Sequence, residues 1–402
     1  MNAPVTFSNT TTTNNSADST TVARTGNLPR VGLVLSGGGA RGAYQAGVLK
    51  GIAEICREAG IKQPFPIITG VSAGAINASY LAACCEDFSQ AADNMVRLWK
   101  SLRTDQVFKT DAMSAGRSGL KFLTDATLGA FYRKKFARSL LDTSPLRKLL
   151  DETIPFENID ANLRAGHLSA LAVTAMNYSN STSINFVQSE KEFPMWERSR
   201  RRSEKAWISS SHVMASSALP LFFPPVAVGD EHFGDGCLRN TAPLSPAIHL
   251  GADRLLVVSV RRPDGLTPPP TTTMEPTVAR VLGVILNALL LDAVDVDMER
   301  MARVNQTLSL IPDSARTGME LKKVDYLWLR PSKDIGNLAG DHFESLPRVI
   351  KYLVGGLGSS REASEMTSYL LFDPAFCGIL VDTGYQDSMN SRDEILKFLM
   401  GA

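Results

Sequence analysis

Short apolar runs alternate with longer segments of helical periodicity in the first part of the chain. The runs at 31–35 (VGLVL) and 67–69 are continuous and apolar, which is typical of buried strands. Residues 43–59 and 73–85 follow them, with apolar positions spaced for one face of a helix. This alternation of strand, loop, helix, strand, turn and helix predicts a parallel sheet covered by helices.

The same patterns continue to the end of the chain without an internal repeat. Further strands are predicted at 168–175, 182–188, 226–233, 255–260 and 324–329. Further helices are predicted at 88–102, 144–152, 205–219, 243–250, 277–308, 346–355, 362–372, 374–383 and 392–400. The whole pattern predicts an α/β fold, with a mostly parallel central sheet flanked by helices and a helical C-terminal extension.

Composition divides the chain into four parts. Residues 1–28 are rich in Ser, Thr and Asn and lack an apolar run, so we expect a disordered leader rather than a secretory signal. Residues 29–262 hold the alternating strands and helices and form the expected principal domain. Residues 263–276, rich in Pro and Thr, are expected to be a linker or surface loop. Residues 277–402 are expected to be a mostly helical region that packs on that domain.

Charge and cysteine content narrow the classes of function. The 402 residues carry a formal net charge of +1, which gives no global signal for nucleic-acid binding. The five cysteines lack C-x-x-C spacing, so we expect neither a disulfide framework nor a zinc site, and a reducing compartment is the simpler interpretation. Because no stretch has ~20 uninterrupted apolar residues, we expect a cytoplasmic protein without a transmembrane helix.

One pentapeptide, GVSAG at 70–74, stands between a predicted strand and a predicted helix. This Gly-x-Ser-x-Gly pattern is typical of a nucleophile elbow, a tight turn that exposes its serine, here Ser72, at a helix N-terminus. Gly70 and Gly74 lack Cβ atoms, so the strand and the helix can approach closely. The alternative is a glycine-rich turn with an incidental serine, and the pentapeptide alone does not decide between them.

A second glycine motif, GGGARG at 37–42, follows the first predicted strand. It matches the G-x-G-x-x-G of dinucleotide folds, but the acidic residue expected about twenty positions later, Glu58, falls within a helix. A tight strand–helix turn is a further alternative. We favour an oxyanion hole, in which backbone N–H groups at 37–39 face a developing negative charge. Arg41 would then add a fixed positive charge or stabilise the loop.

A catalytic serine needs a base, and the usual histidine is hard to find in this sequence. None of the five histidines has a recognisable catalytic context, and His232 is kept as a rival because it lies three residues before Asp235. Asp235 belongs to FGDGCLRN at 233–240, preceded by SSALP at 216–220, which indicates a loop near a strand end. A carboxylate there can act as general base if partial burial raises its pKa and a hydrogen bond aligns it with the hydroxyl.

Taken together, the glycine loop, the Gly-x-Ser-x-Gly turn and the Asp-Gly loop resemble those of the patatin-like phospholipases. The resemblance covers about residues 30–261 and includes the order and separation of the three motifs. It implies a three-layer sandwich and a lipid acyl hydrolase of the phospholipase A, lysophospholipase or esterase type. It also implies a Ser–Asp dyad without a catalytic histidine, a metal or a cofactor.

Carried onto this sequence, the resemblance makes Ser72 the nucleophile and Asp235 the general base. The oxyanion-hole residues that it implies are Gly37, Gly38, Gly39 and Arg41, and the other motif positions are Gly42, Gly70, Gly74, Gly236 and Cys237. Cys237 departs from the pattern, because the family has glycine or alanine there. Since cysteine is small and packs like a small hydrophobic residue, we expect activity to survive with it.

Other functions and partners fit the same motifs. The alternatives are a catalytically weak lipid-binding or regulatory module, and an acyltransferase that uses an alcohol in place of water. The expected partner is a phospholipid or another acyl ester, with no nucleic acid. The basic stretches at 131–138 and 198–202 would attract anionic headgroups in peripheral membrane contact, although a solvated face is the default interpretation. Helix 277–308 has mostly acidic charges, so we expect it to pack on the core or on a partner, as in a homodimer.

Overall fold

The computed structural model describes residues 30–109, 139–263, 275–316, 318–319, 321–356 and 358–401. The predicted leader at 1–28, the basic stretch at 131–138 and most of the predicted linker at 263–276 lie outside the described residues.

A ten-stranded sheet forms the centre of the described part of the chain. Its strands are β1 (Val31–Leu35), β2 (Ile67–Val71), β3 (Ala170–Asn177), β4 (Thr182–Ser189), β5 (Glu197–Arg198), β6 (Arg201–Lys205), β7 (Val226–Val228), β8 (Glu231–Asp235), β9 (Arg254–Val258) and β10 (Asp325–Leu329). Eight of them run in the order β10-β9-β1-β2-β3-β4-β6-β5, and the β7–β8 hairpin pairs with β3 beyond the end of β2. The strands from β10 to β3 are parallel, so their carboxyl ends share one edge of the sheet.

Helices cover both faces of this sheet. They are α1 (Gly42–Glu58), α2 (Ala73–Ala83), α3 (Phe88–Ser101), α4 (Ser144–Thr153), α5 (Glu157–Arg164), α6 (Ser210–Ser216), α7 (Ser245–His249), α8 (Val278–Leu290), α9 (Asp292–Ser309), α10 (Asp313–Arg316), α11 (Ile335–Asp341), α12 (Arg348–Gly355), α13 (Ser364–Leu370), α14 (Pro374–Asn390) and α15 (Arg392–Met400). Successive residues of β1 belong to different hydrophobic clusters: Leu33 to the one that includes Leu49 of α1, and Val34 to the one that includes Met298 of α9. The predicted α/β fold, a mostly parallel sheet flanked by helices, is confirmed.

The helix predicted at 205–219 is wrong at both ends, because only Ser210–Ser216 is helical. Strand pairing takes the first part: β6 runs parallel to β4, and the Ala206 N–H continues the ladder by donating to the Val187 carbonyl at 2.9 Å. Ser209 then begins α6 through a capping arrangement with His212. Long-range pairing therefore overrides the local helical pattern.

The single helix predicted at 277–308 is also wrong, because the chain bends at Leu291 between α8 and α9. Leu291 is buried, and the acidic first turn of α9 forms ion pairs from Asp292 and Asp295 to Arg261. These pairs join α9 to the segment after β9.

The bend also separates the charged residues from an apolar surface. Arg280 is the one charged residue of α8, whereas the acidic residues of the predicted helix all belong to α9. The exposed side chains of α8 include four aliphatic ones, Val278, Val281, Val284 and Ile285. Among the helices that the structure describes, none has both the length and the apolarity needed to cross a bilayer.

Parts of the chain after residue 277 belong to the same sheet and layers. β10 pairs with β9 along its whole length, from Asp325 opposite Arg254 to Leu329 opposite Val258. α14 packs along α1, and the Tyr385 hydroxyl donates to Glu54 at 2.7 Å. The C-terminal helices therefore share a core with the residues before them, while the domain division at 263–276 stays a prediction.

Candidate active site

Ser72 lies at the turn between β2 and α2, where the carboxyl edge of the parallel strands meets a helix N-terminus. Its backbone has φ 55° and ψ −127°, which non-glycine residues rarely adopt. Such a conformation costs about 1–3 kcal/mol and persists only where the surroundings hold it. The residue is buried, with 6% of its surface exposed.

Two serines at the end of α6 hold the Ser72 backbone on both sides. The Ser72 N–H donates to Ser216 Oγ at 2.9 Å, and Ser217 Oγ donates to the Ser72 carbonyl at 3.1 Å. Ser216 in turn donates to the Thr174 carbonyl of β3 at 2.6 Å. The sequence patterns assigned no role to these two serines, which precede the Asp-Gly loop. No local pattern shows that Ser216 would contact Ser72, 144 positions before it.

The Ser72 hydroxyl donates a hydrogen bond to the Asp235 carboxylate, with 2.6 Å between Oγ and Oδ2. Asp235 ends β8, which pairs with β3 directly beyond β2, so two residues 163 positions apart meet at one sheet edge. The other carboxylate oxygen, Oδ1, accepts from the Cys237 backbone N–H at 2.9 Å. Both oxygens therefore have partners that fix the orientation of the carboxylate.

Burial dominates the electrostatics of Asp235, which is completely inaccessible to solvent. It raises the pKa of this carboxyl from 3.8 to about 6, although hydrogen bonds from Ser72 and Cys237 act in the opposite direction. A carboxylate with this pKa is a stronger base than an ordinary aspartate, yet it is ionised at neutral pH. It can therefore accept the proton of the serine hydroxyl that it contacts.

The glycines at 37–39 connect β1 to α1, and Gly37 lies directly against Ser72. A Cβ at Gly37 would lie 3.0 Å from the Ser72 Cβ and would collide with Cys237 Sγ. Gly39 has φ +58°, and a Cβ there would collide with the Tyr369 carbonyl oxygen. A Cβ would also collide with neighbouring atoms at the other motif glycines, Gly38, Gly42, Gly70, Gly74 and Gly236. The loop backbone thus reaches the serine with no side chain between them.

Cys237 lies between the candidate base and the glycine loop. Its thiol is within hydrogen-bonding reach of the Asp235 carboxylate and of the Gly37 N–H. Burial, with the nearby Asp235 charge, raises the pKa of this thiol well above its ordinary value, so the group stays neutral. The expectation that activity survives with cysteine at this position stays a prediction.

Arg41 follows the glycine loop, but its guanidinium is directed at the C-terminal helices. Nη2 forms an ion pair with Glu365 Oε2 at 2.5 Å, and Nε donates to Ser368 Oγ at 2.8 Å. The side chain is 4% exposed. Of the two roles considered for Arg41, this geometry favours stabilisation of the loop over a charge directed at a substrate oxygen.

All five histidines belong to the described residues, and none of them hydrogen-bonds to Ser72 or Asp235. His232, the rival base, is exposed on β8, whereas both members of the candidate dyad are buried. His212 is bonded to Ser209, and burial lowers its pKa to about 4. Asp235 is thus the titratable side chain that the Ser72 hydroxyl contacts.

A family model of patatin-like phospholipases matches residues 33–248, which is more than half of the chain. The chain belongs to the patatin-like phospholipase family. The matched segment contains the glycine loop, Ser72 and Asp235, and the resemblance drawn from the three motifs is confirmed. α8 to α15 lie outside the segment that the family model matches.

Solved structures with a similar fold include VipD from Legionella pneumophila (16% identity, TM-score 0.33), the type III effector ExoU from Pseudomonas aeruginosa (14%, 0.36) and human GIVD cytosolic phospholipase A2 (13%, 0.37). Each comparison covers 92% of this chain and, respectively, 67%, 53% and 59% of the other chain. The patatin-like chain thus spans about half to two thirds of the length of these proteins. No curated protein sequence matches it.

In this patatin-like protein, Ser72 and Gly39 line a cleft. Its walls are mainly aliphatic and aromatic, with contributions from α2, α3, α4 and the C-terminal helices, such as Ile76, Leu98, Leu149, Leu290 and Phe372. A concave apolar site with a few polar groups at one point is typical of small-molecule binding. The small polar residues of the lining are Ser72, Asn77, Thr153 and Ser217.

Proposed function

We propose that this protein hydrolyses carboxylic esters of acyl lipids, with Ser72 as nucleophile and Asp235 as general base. The observation that carries the proposal is the 2.6 Å hydrogen bond between a serine with a strained backbone and a buried carboxylate, beside an apolar cleft. Membership of the patatin-like phospholipase family supports the class of lipid acyl hydrolases. The apolar walls of the cleft support an acyl chain as the group that it holds.

The first half of the reaction forms an acyl-enzyme. Asp235 takes the hydroxyl proton as Ser72 Oγ attacks the ester carbonyl carbon. Negative charge develops on the former carbonyl oxygen beside the glycines at 37–39, where backbone N–H groups would stabilise it. The tetrahedral intermediate then collapses, the carbon–oxygen bond to the alcohol breaks, and the alcohol leaves with the proton from Asp235.

The second half of the reaction repeats these steps with water. Asp235 takes a proton from a water molecule as its oxygen attacks the acyl carbon, and the same glycine loop holds the new oxyanion. Collapse of this intermediate returns the proton to Ser72 Oγ and releases the fatty acid. The raised pKa of Asp235 suits both halves, because the group must accept a proton and return it in each of them.

A fluorophosphonate probe tests this proposal directly. We expect it to label the wild-type protein on Ser72, identified by mass spectrometry, and a panel of phospholipids, lysophospholipids and simple esters to release free fatty acid. An acyltransferase would instead form a new ester when an alcohol acceptor is added. A lipid-binding module would bind vesicles without labelling or product, and that result would contradict the proposal.

We further propose that α8 makes the peripheral contact with the lipid surface. Its exposed aliphatic side chains are interrupted by a single charge, Arg280, and its last residue, Leu290, lines the cleft beside Ser72. The acidic charges that disfavoured a bilayer contact for the predicted helix 277–308 belong to α9 instead. α8 therefore carries an exposed aliphatic surface and also contributes to the lining of the cleft.

Substituting aspartate at Val281 and Ile285 tests the α8 surface. Because each aliphatic side chain buried in lipid contributes ~1.5–3 kcal/mol, we expect the double variant to bind mixed phosphatidylcholine–phosphatidylglycerol vesicles at least about tenfold more weakly in sedimentation assays. Val296→Asp, an exposed valine on α9, is the matched control. Unchanged vesicle binding would contradict the proposal, and a loss of dimer in gel filtration would instead assign α8 to the predicted homodimer.

A further inference from the structure

A partly buried polar cluster joins the glycine loop to the C-terminal helices, and Glu365 lies at its centre. Glu365 Oε2 accepts from Arg41 Nη2 at 2.5 Å and from Asn287 Nδ2 of α8 at 3.0 Å. The Tyr369 hydroxyl donates to Asn287 Oδ1 at 2.6 Å. Burial raises the pKa of Glu365, but the Arg41 charge and the hydrogen bonds from Asn287 and Arg41 outweigh it, so the pKa is lowered and the carboxylate is charged.

One face of α13 supplies the contacts to the loop. Glu365, Ser368 and Tyr369 are spaced i, i+3 and i+4, which places them side by side on a helix. The first two bond to the Arg41 guanidinium, which also lies 4.6 Å from the centre of the Tyr369 ring. The Tyr369 carbonyl touches the Gly39 backbone. α13 thus contacts the loop through the side chain of Arg41 and the backbone of Gly39.

Two glycines of neighbouring helices leave room for the same glutamate side chain. A Cβ at Gly336 of α11 would collide with Glu365 Oε1, and one at Gly283 of α8 would lie 3.2 Å from the Glu365 Cβ. Two helices, α8 and α11, therefore pack closely against the Glu365 side chain of α13. Charge-assisted bonds made in a water-poor setting are short and directional, so they restrict the position of Arg41 and of the turn before it.

We propose that Glu365 is a positioning residue for the oxyanion hole: through Arg41 it holds the glycines at 37–39 in place beside Ser72. The inference rests on the proposed function, and it assigns part of the active site to α8, α11 and α13, which follow the family segment 33–248. Oxyanion donors act in the transition state and hardly in the bound substrate. Misplacing them therefore lowers kcat and leaves KM nearly unchanged.

Glu365→Gln tests the proposal, because it removes the charge and keeps the shape. With a soluble p-nitrophenyl ester we expect kcat to fall about 10- to 100-fold, since displacements of about 1 Å cost up to about 10²-fold, and KM to stay within about twofold. The rate of fluorophosphonate labelling of Ser72 should fall with kcat. Glu362→Gln is the matched control, because this glutamate just before α13 bonds to Ser359 and Thr277 and makes no bond to Arg41 in the described residues.

A second variant separates positioning from stability. Arg41→Met with Glu365→Met replaces the buried pair by apolar side chains, which restores stability in many proteins. We expect its melting temperature to recover and its kcat to remain low; recovery of both would show a structural role only and overturn the inference. If Glu365→Gln does not fold, Ser368→Ala should lower kcat by a smaller factor, because it removes the acceptor of Arg41 Nε and a bond to the Glu365 carbonyl but keeps the Arg41–Glu365 ion pair. If the wild-type protein is active and these variants keep its kcat, this inference alone is refuted. If the wild-type protein itself is inactive, the proposed function is refuted.

Discussion

Ser72→Ala should lower kcat for ester hydrolysis by about 10⁴-fold or more. Removing the nucleophile of the proposed Ser72–Asp235 dyad leaves only substrate binding and oxyanion stabilisation to accelerate the reaction. The fold should survive, since alanine has the same backbone preferences as serine at φ 55° and the bonds from Ser216 and Ser217 involve the backbone. Steady-state release of fatty acid, with circular dichroism on the same samples, measures both expectations.

Ser79→Ala is the matched control for this variant. Ser79 is a buried serine of α2, the same helix that Ser72 precedes, and its hydroxyl has no hydrogen-bond partner among the described residues. We expect this control to keep the wild-type kcat. Retention of more than about 1% of wild-type activity in Ser72→Ala would show that another group is the nucleophile.

Asp235→Asn should abolish hydrolysis and stabilise the protein at neutral pH. The amide oxygen can still accept from the Cys237 N–H, but an amide cannot take the proton from Ser72. We expect kcat to fall by about 10³-fold or more. His232→Ala should leave kcat unchanged, and the reverse pattern would make the histidine the base.

The stability gain follows from the pKa of Asp235, which is about 6 in the folded protein against an ordinary value of 3.8. The folded state binds this proton more tightly than the unfolded state, so this group favours folding below about pH 4 and the benefit is lost as the pH rises through about 6. Above that pH the buried carboxylate costs up to about 3 kcal/mol, at 1.36 kcal/mol for each pKa unit. Asparagine carries no such cost.

Urea unfolding of both proteins between pH 4 and 8 measures this effect. The difference in the free energy of unfolding, Asp235→Asn minus wild type, should increase between pH 4 and about 6 and then level off. The kcat/KM of the wild type should rise over the same interval, because the base acts in its ionised form. A difference that is flat with pH, or an activity that falls between pH 5 and 7, would contradict the assignment.

Asp297→Asn is the matched control for these measurements. Asp297 is a largely buried aspartate of α9 whose pKa is also raised by burial, and it accepts from the Leu244 N–H rather than from Ser72. We expect it to retain wild-type kcat. Loss of activity in both variants would point to a general effect of buried charge instead of a specific base.

The errors of sequence-based prediction have a common physical cause. β6 and the shortened α6 differ from the predicted helix 205–219 because β4 offers the chain a pairing partner that no local pattern reveals. The helix 277–308 divides at the buried Leu291, and Arg261 forms ion pairs with the acidic turn that begins α9. In both places, contacts distant in the sequence accompany a departure from a local preference of a few tenths of a kcal/mol per residue.

The local motifs were predictable because short-range geometry determines them. A strand followed by Gly-x-Ser-x-Gly and a helix requires a tight turn, and three successive glycines allow backbone to lie against a neighbouring residue without collision. The amino-acid sequence by itself therefore determined the α/β alternation, Ser72, the glycine loop and Asp235 as candidates. Only the tertiary structure decided that Ser72 and Asp235 are 2.6 Å apart, that Ser216 holds the elbow and that Arg41 bonds to Glu365. These contacts join residues 144 to 324 positions apart, and their formation depends on the order of the strands in the sheet and on the packing of α13, which no local pattern specifies.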